Sequence, residues 1–429
     1  MSLAWRTLRL ASRRPRLNPG VQAVRRSSTA APGCRVSVTD AGIEVIPESS
    51  RQLKRTILPN FWLRDNCRCT SCINQDTRQR NFNTFDLPRD MAPSEVIARS
   101  DGLQVKWSGD GHQSHYPWEF ISFYQENDRR GNESVNYRYW GAEVEKAPPT
   151  VDYAEVMDTS GGEKGVAILT NLIREYGFAF VSNTPHEDAS ATEKLLERIA
   201  FVRVTHYGGF YDFIPNLALA DTAYTNLALP AHTDTTYFTD PAGLQSFHLM
   251  SHFPPPSFEG KTEELGGKSL FVDGFHAANM LRKEDPKAFD VLTKVKIPWH
   301  ASGNQGITIT PDKKYPVLEL DEVTGEVHRI RWNNDDRGVV PFDSGISPTE
   351  WYDAARKWYS ILTRPDVELW TQLKPGKPII FDNWRVLHGR SAFEGVRRIC
   401  GGYINRDDFI SRWRNTNFPR DEILSRVVG

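Results

Sequence analysis

The hydrophobic and polar positions along the chain predict short strands in its first third and a mixture of helices and strands afterwards. Between residues 35 and 125, apolar segments alternate with turns, and we predict strands in RVSVTD, GIEVIP, LQVKWS and HYPWEFI. The stretch KAPPTVDY, residues 146–153, has the proline content of a linker. The pattern therefore predicts a small N-terminal domain over residues 35–145 and a larger domain over residues 150–429.

Four later segments show helical periodicity. The stretch KGVAILTNLIREYG spaces its apolar residues about one helical turn apart and ends at Gly177, a residue type that often terminates a helix. SATEKLLERIAF predicts a second helix, and PKAFDVLTKV predicts a third that begins with Pro286 at its first position. Ser347 and Glu350 form a capping-box sequence ahead of a fourth helix, whose apolar stripe begins at Trp351.

Short apolar strands separate these helices. We predict them in FAFVSN, LQSFHLMS, KSLFVDGF, VLEL, VHRIRWN, KPIIFDN and RICGGYI. Many short strands with few helices are typical of a mainly β fold with flanking helices, of the jelly-roll or cupin-like kind.

Composition and charge exclude several classes of protein. The chain has 429 residues, of which 39% are hydrophobic and 25% charged, as in an ordinary globular protein. Its formal net charge of −1 provides no global field for nucleic acid or an anionic membrane. No run of 18 apolar residues is present, so we expect no membrane insertion.

Residues 1–30 differ in character from the rest of the chain. They contain seven arginines interleaved with leucines, and no acidic residue precedes Asp40. An arginine-rich, serine-containing, acid-free amphipathic start is typical of a mitochondrial presequence, which implies a mitochondrial protein. A disordered basic tail is the alternative.

Three residues of the larger domain suggest a metal site. His232 and Asp234 form a His-x-Asp motif, and His388 follows 154 residues after Asp234 (388 − 234). Two neutral imidazoles and one carboxylate on one face of the metal are the ligands of non-haem Fe(II) oxygenases. If the motif lies on a strand, its two side chains share one face. A His-x-Asp motif can occur by chance, so the prediction of an iron site depends on a further residue.

Arg397, nine residues after His388, is that further element. A cosubstrate such as 2-oxoglutarate chelates iron at one end and presents a carboxylate at the other, which a guanidinium can bind through two hydrogen bonds. Strand alternation would place Arg397, Ile399, Gly401 and Tyr403 on one face and Arg398 on the opposite face. A surface position is the alternative for Arg397.

Three of the five cysteines lie close together in WLRDNCRCTSC, at Cys67, Cys69 and Cys72. That spacing suits a metal in a reducing compartment better than disulfides, and structural zinc requires four nitrogen or sulfur ligands. The fourth ligand could be His112 or His115 in GDGHQSHYPWEF. Reduced cysteines without a metal are the alternative.

The stretches DTAYTNLALPAHTDTTYF, FDNWRVLHGR and WLRDNCRCTSC resemble the family of Fe(II)/2-oxoglutarate oxygenases that contains trimethyllysine dioxygenase and gamma-butyrobetaine dioxygenase. The resemblance extends from about residue 40 to the end. It implies a distorted double-stranded β-helix and a small N-terminal zinc-binding β domain. It also implies that His232, Asp234 and His388 bind iron, that Arg397 binds 2-oxoglutarate, and that His112 is the fourth zinc ligand.

The implied activity is the hydroxylation of N6,N6,N6-trimethyllysine to its 3-hydroxy derivative, the first step of carnitine biosynthesis. The resemblance further implies a homodimer in the mitochondrial matrix, O2 as cosubstrate, and ascorbate that keeps the iron reduced. Two alternatives stay open: gamma-butyrobetaine hydroxylation to carnitine, and a catalytically inactive scaffold with a dioxygenase fold. The presequence and HTDTTYF favour the first activity, and the intact triad argues against the scaffold.

A trimethylammonium group cannot donate a hydrogen bond, so aromatic ring faces bind it. The resemblance points to four tyrosines: Tyr207, Tyr211, Tyr224 and Tyr403. The gamma-butyrobetaine enzyme carries Trp at the position of Tyr211, and ordinary packing is the alternative for each ring. For a carboxylate of the substrate the resemblance suggests Asn334, with Asn333 and Arg337 as further candidates.

Overall fold

The computed structural model describes residues 34–48, 53–125, 135–214, 225–260, 262–303 and 305–427. They form two compact units: a smaller one up to residue 127 that also includes the residues from 424 onward, and a larger one over residues 128–423. The predicted linker at 146–153 falls inside the larger unit, where Thr150–Asp152 forms a parallel strand pair with Phe180, Val181 and Ser182. The predicted presequence, residues 1–30, lies outside the described residues.

The smaller unit contains two antiparallel three-stranded sheets and two helices. Its elements are β1 Cys34–Thr39, β2 Gly42–Pro47, β3 Thr56–Leu58, α1 Asn60–Asp65, β4 Pro93–Ala98, β5 Gly102–Trp107, β6 Gln113–Pro117 and α2 Trp118–Gln125. The predicted strand HYPWEFI was wrong in its second half. Pro117 ends the strand because it lacks the N–H that continues a ladder, and a helix that buries Ile121 follows.

The larger unit contains most of the helices and strands. They are β7 Thr150–Asp152, α3 Tyr153–Met157, α4 Lys164–Tyr176, β8 Phe178–Ser182, α5 Ser190–Ile199, β9 Tyr211–Phe213, β10 Leu229–His232, β11 Leu244–Phe253, β12 Ser269–Asp273, α6 Gly274–Glu284, α7 Pro286–Lys294, β13 Leu318–Leu320, β14 Val327–Ile330, α8 Pro348–Leu362, β15 Leu369–Thr371, β16 Ile379–Asp382, β17 Val386–Arg390, β18 Val396–Gly401, β19 Tyr403–Ile404 and α9 Arg406–Asn417. The last helix, α10, spans Arg420–Val427.

Two sheets form the centre of the larger unit. One has the strand order β10-β17-β12-β15, and the other has the order β7-β8-β16-β11-β18-β9, with β19 paired to β11. Among the strand pairs described, β7–β8 is parallel and the others are antiparallel. Side chains of both sheets line one cavity, so the two sheets face each other across it.

The four predicted helices are confirmed, and their ends follow the predicted signals. Gly177 adopts φ +84° at the end of α4, where a Cβ would lie 2.8 Å from a methyl group of Val386. Ser347 and Glu350 form a complete capping box at α8. Pro286 begins α7 as expected, with Asp285 as its cap.

The helical content is larger than predicted, so the fold is mixed rather than mainly β. Of the six described helices that were not predicted, α6 and α9 are the longest: small alanines make the apolar face of α6 inconspicuous, and α9 buries only Phe409 and Trp413 among its apolar residues. Helices α6, α7 and α8 pack beside the four-stranded sheet through a shared core that includes Val272, Leu292 and Trp358. In the described part of the chain, no helix has both the length and the hydropathy to cross a bilayer.

Candidate active site

A cavity of about 180 Å³ lies between the two facing sheets of the larger unit. We call it the central cavity. The four-stranded sheet contributes His232 and His388 to its wall, and the other sheet contributes Gln245, Arg397 and Tyr403. Residues that are far apart in the sequence therefore share one cavity.

The structure brings His232, Asp234 and His388 together. His232 and His388 are direct partners in the register of β10 and β17, and their ring centroids lie 4.3 Å apart. The Oδ1 atom of Asp234 is 3.3 Å from Nε2 of His232 and 3.7 Å from Nε2 of His388. The three candidate ligand atoms all lie within 4.8 Å of one another, which is close enough to share one ion.

The sequence had suggested that strand alternation places Asp234 on the same face as His232. In the structure the position of Asp234 has a different origin. Strand β10 ends at His232, and the next residues turn, with Thr235 at φ +55°. Asn383 holds this turn from the β16–β17 connection: its Oδ1 accepts from the backbone N–H of Asp234 at 2.8 Å, and its Nδ2 donates to the Asp234 carbonyl at 3.0 Å. The buried amide of Asn383 thus fixes the backbone position from which the Asp234 side chain extends.

Two further donors orient the carboxylate of Asp234. Its Oδ2 accepts a hydrogen bond from Nε2 of Gln245 at 2.7 Å and another from the hydroxyl of Tyr403 at 2.7 Å. The other oxygen of Asp234, Oδ1, therefore points toward the two imidazoles. His232 Nδ1 lies 2.8 Å from the carbonyl of Pro230, so a proton on Nδ1 leaves Nε2 as the metal-binding atom.

The protonation states of Asp234 and His388 suit a divalent cation. Burial lowers the pKa of His232, but the hydrogen bond and charge of Asp234 raise it above its ordinary value, and a bound cation would replace that proton beside the carboxylate. Burial raises the pKa of Asp234, but His388, His232 and Tyr403 together hold it well below its ordinary value, so the carboxylate is ionised. Burial, with His232 nearby, lowers the pKa of His388 to about 3, so this imidazole is neutral. Ionised carboxylates and neutral imidazoles are the forms that bind metals.

A second part of the central cavity carries positive charge. Arg397, on β18, is 5% exposed, and within the described residues it forms no ion pair and its Nε has no hydrogen-bond partner. Burial, with Arg390 nearby, lowers the pKa of Arg397 to about 9. A buried guanidinium without an acidic partner is costly. This part of the cavity is therefore suited to an anion.

Arg390, which sequence reasoning missed, lines the same cavity from the four-stranded sheet. It follows His388 by two residues on β17, so strand alternation places both on one face. Its Nη2 donates to the carbonyls of Thr225 and Leu227 at 2.7 and 3.0 Å. The alternation in VLHGR could have revealed it.

Aromatic rings also line the cavity. Tyr207, Tyr211 and Tyr403 reach the cavity, as do Phe213 and Tyr237, which sequence reasoning missed. The rings of Tyr211 and Tyr403 lie 6.0 Å apart at 66°, and the Tyr211 hydroxyl donates to the carbonyl of Ser246 at 2.6 Å. The fourth predicted tyrosine, Tyr224, lies outside the described residues. Tyr237 falls within the HTDTTYF stretch and could have been included.

The structure does not bring Asn334 to the central cavity. Its neighbours Asn333, Asp335 and Asp336 line that cavity, whereas Asn334 and Arg337 line an adjoining groove of about 410 Å³. Successive residues of a turn point in different directions, which a sequence pattern does not resolve. We call residues 333–337 the rim loop.

The smaller unit holds a separate cluster of possible metal ligands. Nε2 of His112 lies 3.3, 3.6 and 3.4 Å from the Sγ atoms of Cys67, Cys69 and Cys72. Ideal tetrahedral zinc bonds would separate nitrogen and sulfur by roughly 3.6 Å. His115 is not part of this cluster, because its Nε2 lies 3.5 Å from Asp101.

Comparison with known proteins gives matches for both units. Residues 132–403 match the family described as taurine catabolism dioxygenase TauD, TfdA family, and residues 49–122 match the N-terminal segment described as gamma-butyrobetaine hydroxylase-like. The chain is 61% identical to the trimethyllysine dioxygenase of Neurospora crassa, over 92% of this chain and 88% of that protein.

Two further relatives carry the same name. One is the trimethyllysine dioxygenase of Meyerozyma guilliermondii, 40% identical over 86% of this chain and 92% of that protein. The other is the mitochondrial trimethyllysine dioxygenase of Bos taurus, 38% identical over 82% of this chain and 81% of that protein. These matches extend over both units of the chain.

The fold and these matches define an enzyme class, the Fe(II)- and 2-oxoglutarate-dependent dioxygenases. Within that class, the chain belongs to the TauD/TfdA family and to its group of trimethyllysine dioxygenases. The family inferred from the sequence motifs is therefore confirmed.

Proposed function

We propose that this chain hydroxylates trimethyllysine at carbon 3, using Fe(II), 2-oxoglutarate and O2, as the first step of carnitine biosynthesis. One observation carries the proposal: a single cavity is lined by the His232–Asp234–His388 triad, the buried guanidinium of Arg397 and several tyrosine rings. The 61% identity to the Neurospora protein supports the choice of substrate.

The donor atoms fit a ferrous ion. His232 and His388 would supply neutral imidazole nitrogens and Asp234 one carboxylate oxygen, the set that leaves one face of the metal open. When bound, the iron with 2-oxoglutarate and O2 supplies the oxidation of a C–H bond to an alcohol, with release of succinate and CO2. The chain itself orients the ligands, through Gln245 and Tyr403 on Asp234.

Arg397 would bind the carboxylate of 2-oxoglutarate that lies far from the metal. Its guanidinium is buried in the same cavity as the triad and forms no ion pair with the other described residues. A guanidinium binds a carboxylate through two parallel hydrogen bonds, which fixes both position and orientation. Arg390, which lines the cavity from the four-stranded sheet, adds positive charge.

The tyrosine wall would bind the trimethylammonium group. Tyr207, Tyr211, Tyr237 and Tyr403 line the cavity beside the triad, and Tyr224 stays a prediction. Each ring face that contacts the cation would contribute about 0.5–2 kcal/mol. This attraction would hold the substrate so that one C–H bond lies near the metal site.

The experiment is mass spectrometry of trimethyllysine incubated with the protein, Fe(II) and 2-oxoglutarate. We expect a gain of one oxygen and an equal amount of succinate. His232→Ala should abolish both and weaken metal binding measured by calorimetry, whereas His328→Ala, an exposed residue outside the cavity, should change neither. Oxidation of gamma-butyrobetaine but not trimethyllysine would favour the second activity. Iron binding without succinate from either substrate would favour the inactive scaffold.

The Cys67, Cys69, Cys72 and His112 cluster would bind a structural zinc ion. The Nε2–Sγ distances are close to those of a tetrahedral zinc site, and burial lowers the pKa of His112, which favours the neutral imidazole that binds metals. Four protein ligands would leave no open position for substrate. We expect about one equivalent of zinc per chain by elemental analysis, and none would contradict the assignment.

The finer description of the fold is also a proposal. The two sheets that face each other across the central cavity support a double-stranded β-helix for the larger unit. The domain assignment of residues 35–145 to zinc binding and 150–429 to catalysis stays a prediction. The division near residue 127 and the family matches at 49–122 and 132–403 support an earlier boundary. Limited proteolysis with mass spectrometry would locate it.

We further propose that residues 1–30 are a presequence that directs the chain to the mitochondrial matrix. Their arginine-rich, acid-free composition supports this, as does the mitochondrial name of the Bos taurus relative. Sequencing the N-terminus of the protein recovered from mitochondria should show that the basic segment has been removed. An intact Met1 in that fraction would contradict it.

The homodimer and the ascorbate requirement rest on the family resemblance alone. Light scattering should give twice the 48.9 kDa mass of the chain, reduced by the presequence if that is removed. Omission of ascorbate should shorten the period of linear turnover, because oxidised iron would accumulate. A monomer would contradict the homodimer. Turnover that does not depend on ascorbate would contradict the ascorbate requirement.

A further inference from the structure

The two candidate substrates differ in a group that the tyrosine wall cannot recognise. Trimethyllysine carries a trimethylammonium, an α-ammonium and an α-carboxylate, whereas gamma-butyrobetaine lacks the α-ammonium. A trimethylammonium group has no N–H, so an aromatic wall would accept either molecule. An α-ammonium donates up to three hydrogen bonds and is bound best by a carboxylate. A site that prefers trimethyllysine therefore needs an acidic residue at its other end.

Three acidic residues of the described chain line the central cavity: Asp234, Asp335 and Asp336. Asp234 is part of the triad, and its carboxylate accepts hydrogen bonds from Gln245 and Tyr403. Asp336 accepts a hydrogen bond from the Thr236 hydroxyl at 2.6 Å. These two carboxylates already have protein partners.

Asp335 differs from the other two acids. It is exposed on the rim loop, and among the described residues its carboxylate forms no hydrogen bond or ion pair. Its backbone N–H donates to Oδ1 of Asn333 at 3.0 Å, which closes the turn and sets where the residue lies. The turn thus presents an available carboxylate at the edge of the cavity.

The surroundings of Asp335 match the amino-acid end of trimethyllysine. Asp335, Asn333 and His232 line both the central cavity and the adjoining groove, so they mark the junction between the two. Beyond the junction, the groove is lined by Arg337, whose guanidinium lies 5.3 Å from the ring centroid of Trp351. An acid at the junction and a cation just beyond it are complementary to an α-ammonium next to an α-carboxylate.

We infer that Asp335 binds the α-ammonium group of the substrate, with Arg337 beside the α-carboxylate, and that Asp335 thereby selects trimethyllysine over gamma-butyrobetaine. The inference rests on the proposed function. Binding at both ends would hold the carbon chain beside the triad, with the trimethylammonium against the tyrosines. Gamma-butyrobetaine would leave Asp335 without a partner.

The test compares trimethyllysine with 6-(trimethylammonio)hexanoate, which has the same chain and carboxylate but no α-amino group. Asp335→Asn keeps the shape of the side chain and removes its charge. It should weaken trimethyllysine binding about ten- to a hundredfold, the range for one charged hydrogen bond, and leave the analogue within about twofold. Binding is measured by calorimetry of the metal-loaded enzyme without O2, and kcat and KM are measured with O2.

Two variants serve as controls. Asp343→Asn removes an exposed acid that lines neither the cavity nor the groove, and should leave both ligands unchanged. Asp336→Asn tests the neighbouring acid. Equal losses for both ligands in Asp335→Asn, or a selective loss in Asp336→Asn instead, would overturn the inference.

The same experiment separates this inference from the proposed function. A wild-type protein that binds trimethyllysine more tightly than the analogue, but does not hydroxylate it, would contradict the proposed function and leave the role of Asp335 standing. A wild-type protein that hydroxylates trimethyllysine, but binds both ligands equally, would overturn the role of Asp335 alone.

Discussion

Tyr403 has two roles in the candidate active site. Its ring lines the cavity beside Tyr211, and its hydroxyl donates to Oδ2 of Asp234. Burial and the nearby Asp234 carboxylate raise the pKa of Tyr403 well above its ordinary value, so the hydroxyl keeps its proton and remains a donor. The same side chain thus contacts the proposed substrate site and orients a candidate metal ligand.

Tyr403→Phe separates these tasks because it keeps the ring and removes the hydroxyl. We expect Fe(II) affinity to fall about tenfold, the lower end of the range for losing a partner of a metal ligand, with little change in KM for trimethyllysine. Tyr211→Phe is the matched control, since its hydroxyl donates to the carbonyl of Ser246 rather than to the triad. Metal titration by calorimetry and steady-state kinetics measure the two effects. Unchanged metal affinity in Tyr403→Phe would refute this assignment.

Arg397→Lys keeps the charge and removes the planar fork that matches a carboxylate. We expect KM for 2-oxoglutarate to rise about ten- to a hundredfold, because the ammonium cannot form the paired hydrogen bonds. KM for trimethyllysine should change little. The control is Arg398→Lys, the next residue, which pairs with Asp212 through two bonds on the opposite face of the strand. Similar kinetics for the two variants would refute the role of Arg397.

At the scale of single elements, local periodicity predicted which residues share a face of a strand and where a helix begins. Alternation over residues 397–403 predicted that Arg397 and Tyr403 share a face and that Arg398 points away. In the structure these residues belong to β18 and β19, Arg397 and Tyr403 both line the cavity, and Arg398 pairs with Asp212. Helix α8 follows its capping box. These features depend on neighbours in the sequence, and a single chain contains that information.

Features that depend on pairing between distant strands could not be predicted. Gln245 reaches Asp234 because β11 belongs to the sheet that faces His232 across the cavity, and Asn383 holds the turn after His232 from the β16–β17 connection. The alternation proposed for the His-x-Asp motif was wrong because the strand ends between the two residues. Such contacts need the register of the sheets, which sequence periodicity does not give.

Strand β11 also carries a buried histidine that should make stability depend on pH. His248 is 0% exposed, its Nδ1 lies 2.6 Å from Oγ1 of Thr192, and its Nε2 accepts from the N–H of Gly376 at 2.9 Å. Burial, with His186 nearby, lowers its pKa from 6.5 to about 4. Between these values the unfolded chain binds a proton that the folded chain does not, so stability decreases as pH falls.

We expect this histidine to cost roughly 1 kcal/mol of unfolding free energy between about pH 7 and about pH 5.5. Urea unfolding of the wild type and of His248→Gln at both pH values measures the difference, because the variant lacks the titrating group. His115→Gln, an exposed histidine of the smaller unit, is the control and should retain the wild-type dependence. Equal dependence in the wild type and His248→Gln would contradict the account.

At the scale of the whole molecule, the two units depend on different sources of stability. The larger unit has extensive apolar clusters around its two facing sheets. The smaller unit has one main apolar cluster, and the segment with Cys67, Cys69 and Cys72 contributes only a minor cluster with Ile73 and Phe82. A segment with so small a core needs another source of stability, and a metal bound by four side chains would provide it.

Removal of the metal from the smaller unit should therefore lower its stability. We expect His112→Ala to lose bound zinc and to unfold the smaller unit at a lower temperature, because the ion that would join the three cysteines and the histidine is lost. His115→Ala is the matched control, since it lies three residues away on β6 and outside the cluster. Elemental analysis and differential scanning calorimetry, with and without a chelator, measure both effects. If His112→Ala retained zinc, or if chelation left the first unfolding transition unchanged, the four side chains would have to be explained as a metal-free cluster, stabilised by contacts such as the one between Arg64 Nη1 and Cys72 Sγ at 3.3 Å.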